Sequence, residues 1–98
     1  MSEATPQQNA ARVQRIESAL QTALTPDSLE VSDDSHLHAG HAGAQSGRGH
    51  FSVRIVATAF AGKPPLERHR MIYGALGEMM QTDIHALAID ARAPDEAR

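Results

Sequence analysis

Glu67-Arg68-His69-Arg70-Met71-Ile72-Tyr73 lies at the centre of residues 62–81, and how that stretch is read decides the fold. Leu66, His69, Tyr73, Leu76 and Met80 follow one another at steps of three and four. On a helix they share one face, an apolar stripe with a histidine in its middle. Pro64 and Pro65 suit a first helical turn and forbid an earlier start. Gly74 and Gly77 each weaken a helix interior by roughly 1 kcal/mol relative to alanine, which predicts either close packing there or a break into two helices. Upstream lie His36, His38 and His41, and pairing with one of them is the simplest use of an imidazole held on a rigid helix.

Working outward, residues 84–91 alternate His85, Leu87 and Ile89 with Ala86 and Ala88, the pattern of a strand. The polar residues 92–98 are expected to fray. Before the helical stretch, Phe51, Val53, Ile55 and Ala57 alternate with Ser52, Arg54, Val56 and Thr58, the clearest strand of the chain and the expected centre of a sheet. Residues 35–49 carry four glycines and no apolar period, which reads as a mobile loop of a length that is usually functional or disordered. A short strand around Leu29 and Val31 precedes it, solvated on one face. The chain opens with a helix signalled by Thr5, Pro6 and Gln8 as hydroxyl cap, first-position proline and capping-box glutamine. Val13, Ile16, Leu20 and Leu24 form its buried stripe, with Arg12, Arg15 and Glu17 mostly elsewhere. Glu3, Glu17 and that cap favour an ordinary domain helix over a transit peptide. The turn at Thr25-Pro26-Asp27 ends it.

The predicted order is thus helix-strand-strand-helix-helix-strand, an α+β domain. A helical crossover joins parallel strands, whereas the first two can be antiparallel neighbours, giving a three-stranded mixed sheet covered by helices on one face. One domain spans 1–98, with an ordered core of about 6–92.

Composition sets limits on function. The 98 residues include 9 Lys and Arg against 12 Asp and Glu, a net charge of −3, which lacks the basic footprint of a phosphate-neutralising protein. No cysteine is present, so disulfides, thiolate nucleophiles and thiolate metal ligands are excluded within the chain. No run approaches the roughly 20 apolar residues of a membrane helix, and no signal-peptide core opens the chain. A soluble cytoplasmic protein with no membrane partner is expected.

Several motifs together resemble the BolA family. They are Asp33-Asp34-Ser35 followed by His38, Gly49-His50-Phe51, Phe60-x-Gly62, Arg68-His69-Arg70-Met71-Ile72-Tyr73 and Ile84-His85-Ala86-Leu87-Ala88-Ile89. The resemblance covers roughly residues 8–92 and implies a fold related to class II KH domains. It also implies a partner, a monothiol glutaredoxin, with which members share a bridged 2Fe-2S cluster. In that arrangement the glutaredoxin cysteine and glutathione supply thiolates and the BolA side supplies histidine, which fits a chain without cysteine. Matched by position, His69 and His38 are the implied ligands, with His36 or His41 able to substitute, and Lys63, Arg68 and Arg70 form the implied partner-binding surface. Histidine in place of thiolate raises a cluster's potential, as in Rieske centres. The implied role is iron-sulfur cluster trafficking or iron and redox sensing, the chain alone being a monomer or weak homodimer.

Plainer readings stand beside these. A lone histidine on an apolar stripe is more often a hydrogen-bonded core residue than a ligand. His50 and His85, inside strands, read as packing or hydrogen-bonding residues. His36-x-His38-x-x-His41 could hold zinc or nickel weakly, although no cysteine or well-placed carboxylate closes a tetrahedron. The alternative function is a DNA-binding transcriptional regulator of stress response and morphology. The turn Gly62-Lys63-Pro64-Pro65 lacks the second glycine of a KH backbone clamp, so DNA binding is expected to be weak. No nucleophile-base pair, phosphate loop or carboxylate pair can be assembled, and an enzyme is not expected.

Overall fold

The computed structural model describes residues 6–34 and 49–97. Helix α1 is Pro6–Leu24, strand β1 Ser28–Asp33 and strand β2 Gly49–Val56. A single turn of 3-10 helix at Thr58–Phe60 leads to helix α2, Pro65–Leu76. The short helix α3, Met79–Thr82, then precedes strand β3, Ile84–Arg92, and a second 3-10 turn at Pro94–Glu96. The α+β class and the element order match the expectation. Thr5, read as the cap of α1, lies outside the described residues.

The sheet order is β1-β2-β3. β1 runs antiparallel to β2, with Leu29 opposite Ile55 and Val31 opposite Val53. β3 runs parallel to β2, placing Phe51 beside Leu87 and Val53 beside Ile89, with a register irregularity at Gly49/His50. Alternation then sorts the faces. Phe51, Val53 and Ile55 are buried against Ile16 and Leu20 of α1 and Ile72 and Leu76 of α2, with Phe60 and Ile84 completing the core. The opposite face presents Glu30, Ser32, Ser52, Arg54, Ala88 and Asp90, which line a shallow depression. Arg54 lies 3.7 Å from Glu30 and 3.9 Å from Asp90, and Arg92 2.9 Å from Asp90. Exposed pairs of this kind add little stability, so this face is hydrated rather than packed.

The helical stretch departs from its reading in two ways, and the segment after β3 in a third. First, the face turned to the core is Arg68, Ile72 and Leu76, while Leu66 is 63% and Tyr73 41% exposed. Both sets have helical spacing; the buried one contains an arginine, which an apolar pattern search passes over. Second, the glycines act differently from each other. Gly77, at φ 57° and ψ −128°, stops α2, its N–H donating to Tyr73 O, whereas a Cβ at Gly74 would meet nothing within 4 Å. The break occurs at one glycine, and neither marks close packing. Third, the segment after Arg92 is folded. Ala93 is buried at 1% exposure and Pro94–Glu96 forms a turn, held by a contact with Arg68 described below.

α1 departs in one respect. Arg12, expected away from the core, is part-buried, and its Nε donates to Asp83 Oδ1 at 3.0 Å while Nη1 donates to Asn9 Oδ1 at 3.1 Å. Arg15 reaches the same carboxylate at 2.8 Å. α1 ends at Thr25, whose positive φ of 40° and N–H bond to Gln21 O turn the chain into Pro26, which cannot continue a helix.

Candidate functional site

The β1–β2 connection roots beside the start of β3, where His50 and His85 lie on neighbouring strands. Its stems are tied down on both sides. Asp34 N–H donates to His50 O at 2.7 Å, and Gly49 N–H donates to Asp83 O at 2.9 Å. Asp34 also accepts a hydrogen bond from Ser52 Oγ. Gly49 pairs with Ile84, so the returning loop stem abuts the start of β3, one residue from His85. The expected loop histidines His36, His38 and His41 lie outside the described residues.

His50 and His85, on neighbouring parallel strands, have ring centroids 5.1 Å apart at an interplanar angle of 56°. His50 is 8% exposed, as its packing role predicts. His85, read as a packing or hydrogen-bonding residue, is exposed, so it is not packed into the core, and it is an accessible imidazole beside the loop root. The pairing is irregular at this point: β3 skips from Ile84, buried beside Gly49, to Ala86 beside His50, and His85 falls between them, exposed. A sequence signal existed, in that His85 falls on the alternation opposite Ile84.

His69 is partly buried in α2, and its ring meets Tyr73 edge-on at 6.4 Å between centroids. With Leu66 and Tyr73 exposed on either side, it sits in an outward apolar patch and not on the core face. Arg70 is exposed and Lys63 half-buried. Arg68 does not join them. Only 8% exposed, it donates from Nε to Lys63 O at 2.7 Å, from Nη1 to Ala91 O at 3.0 Å, and from Nη1 and Nη2 to Glu96 Oε1 and Oε2 at 2.6 and 2.9 Å. Its expected place on a partner surface is therefore corrected to a buried tie between α2, β3 and the C-terminal turn.

Electrostatics follow the contacts. The Arg68 fork, aided by the Ala93 N–H at 3.0 Å, holds the Glu96 carboxyl down at about 2. The Glu96 carboxylate in turn raises Arg68 against the opposing effect of burial. Burial acts to raise the Asp83 carboxyl, but hydrogen bonds from Arg12 and Arg15 outweigh it and hold the group below its usual value. The same residue supplies the carbonyl that anchors Gly49, so Asp83 contacts α1 through its carboxylate and the loop root through its backbone. Among the described residues no three His, Cys, Asp or Glu side chains are grouped to hold a metal ion. The exposed imidazole of His85 beside the loop root, and the partly exposed His69 on the outward apolar face of α2, are donor groups available to a metal centre or a protein partner.

Comparison with known proteins gives the same fold. A family model described as BolA-like protein matches residues 20–96. Mouse BolA-like protein 1 is 41% identical over 83 residues, covering 85% of this chain and 58% of that protein. The DNA-binding transcriptional regulator BolA of Escherichia coli K12 is 46% identical over 76 residues, 78% of this chain and 70% of that one. The solved BolA domain of SufE1 from Arabidopsis thaliana superposes with a TM-score of 0.79 at 44% identity, covering 88% of this chain and 95% of the domain. The chain spans 24–58% of the length of the plant and mouse relatives it matches.

Proposed function

The chain belongs to the BolA family, and on that premise we propose that it partners a monothiol glutaredoxin and shares with it a 2Fe-2S cluster, in cluster trafficking or iron and redox sensing. The observation that carries this reading is an exposed histidine beside the loop root in a chain with no cysteine. Such a surface can complete a metal centre whose sulfur ligands come from elsewhere and cannot build a thiolate site alone. His85, exposed and fixed on β3, is the histidine best presented to hold the cluster, with His38 of the loop as second ligand. His69, bedded between Leu66 and Tyr73, is the other candidate, and Arg70 and Lys63 flank the apolar patch where the partner would dock. Bound there, the cluster would supply one-electron chemistry or a transferable cargo, its potential raised by imidazole ligation.

Co-expression with a monothiol glutaredoxin, followed by size exclusion and visible absorption and circular dichroism, tests the reading. A one-to-one complex with a spectrum distinct from the glutaredoxin homodimer is expected. Separate elution in both apo and cluster-loaded states overturns it. His85→Ala should abolish the histidine-type spectrum and His38→Ala make the cluster labile. Loss with His69→Ala and retention with His85→Ala would move the fixed ligand to α2.

A second reading, DNA binding, draws on the E. coli relative, a DNA-binding transcriptional regulator, and on an element order like that of KH domains. The charge distribution weighs against it. Of the seven described lysines and arginines, Arg12, Arg15, Arg54, Arg68 and Arg92 are in salt bridges with carboxylates.

A further inference from the structure

Arg68 uses its donors in two distinct ways. Nε and Nη1 meet the backbone carbonyls of Lys63 and Ala91, which orient the guanidinium but leave its charge uncompensated. The outer edge, Nη1 and Nη2, meets both carboxylate oxygens of Glu96 in the bidentate geometry that a planar fork selects. The two partners differ in their surroundings. The Arg68 side chain is 10% exposed and sits on a helix, whereas the Glu96 side chain is 45% exposed and belongs to a three-residue turn whose other fixed point is Ala93. A pre-oriented, largely buried cation is thus met by a carboxylate arriving from solvent on a short strap.

We propose that Arg68 heads a carboxylate-binding site at the base of α2, filled in this chain by its own Glu96, and that carboxylate occupancy sets the pose of the helix face carrying Leu66, His69 and Arg70. The coupling is physical. Arg68 ties the turn before α2, through Lys63 O, to the end of β3, through Ala91 O, and a buried guanidinium with no counter-charge either draws in water or shifts toward it. Either response moves the first turns of the helix. An aspartate, glutamate or C-terminal carboxylate of another chain fits the same fork only when Glu96 leaves, which makes the strap an internal competitor. The site stands whether or not a glutaredoxin binds the outer face.

The test is chemical rescue in the full chain, read by amide and arginine side-chain nitrogen–proton resonances. Glu96→Ala should keep the sheet resonances in place while shifting those of residues 63–70 and 91–97. Acetate should then return the Arg68 Nε–H and His69 amide signals toward wild type along a saturating curve, while chloride at matched ionic strength should not. The isosteric Glu96→Gln should show the same shifts without rescue, because its amide still fills the space, and it serves as the readout of the shifts if the alanine variant does not fold. Equal effects of acetate and chloride, or a His69 amide in both variants coincident with wild type, overturn the proposal.

Discussion

At the scale of single residues, the contrast within α2 gives the sharpest expectations. Ile72 is fully buried among Phe51, Leu20 and their neighbours, so Ile72→Ala should cost about 2–5 kcal/mol in chemical denaturation. Leu66→Ala, at 63% exposure, should change stability by no more than about 0.5 kcal/mol while weakening any partner that covers the helix. Equal losses would mean that the wrong face has been assigned to the core. That face was only half legible in the sequence. Ile72 and Leu76 carry the apolar signal, but the third inward position is Arg68, whose burial depends on Ala91 O and Glu96, groups far along the chain that no local pattern reveals. Glu96 gives a pH expectation too. Its carboxyl falls from an ordinary 4.5 to about 2 on folding, so its contribution is complete above about 4.5 and is lost as pH drops from there toward about 2. In the folded protein the Ala93 amide resonance, bonded to Glu96 Oε1, should hold through most of that window and move only as pH nears about 2, while amides of the sheet interior hold still.

At the scale of elements, the sequence was most informative where periodicity and stop signals agree. The strand alternation of β2, the proline start of α2 and the turn after Leu24 could all be read, because each is dictated within a few residues. The crossover from β2 through α2 and α3 to a parallel β3 followed from connection length. Boundaries set by long-range contacts could not be read, the C-terminal turn among them: residues 93–97 look like a polar tail until the Arg68 fork is considered. At the candidate site, the outward turn of His85 could be read from its alternation with Ile84, but the pairing irregularity at Gly49 and His50 that accompanies it is not announced by the sequence. The two helix glycines now separate into opposite expectations. Gly77→Ala should destabilise by about 1–3 kcal/mol, since a side chain is strained at that positive φ. Gly74→Ala, with open space around its Cβ, should stabilise by about 0.4–1 kcal/mol through the unfolded chain. Thermal melts of both variants check the pair, and a stabilising Gly77→Ala would remove the reason given for the end of α2.

At the scale of the whole molecule, a net charge of −3 with most described cations already ion-paired predicts weak DNA binding that falls steeply with added salt. Fluorescence anisotropy on duplex DNA should give no sequence-selective submicromolar complex at about 0.15 M salt. Such a complex would restore the regulator reading. The sheet order has a different consequence, one of timing. β2 is the central strand, yet its two neighbours lie on opposite sides of it along the chain, and β3 is separated from it by the whole helical crossover. During synthesis Phe51, Val53 and Ile55 therefore leave the ribosome with β1 at hand but without α2 to cover them or β3 to pair their second edge. A bare apolar strand edge is what aggregation seeds recruit, and parallel pairing of this kind forms late. The nascent chain is most vulnerable between the appearance of Val56 and that of Arg92, an interval in which a chaperone that shields extended apolar segments would find its substrate.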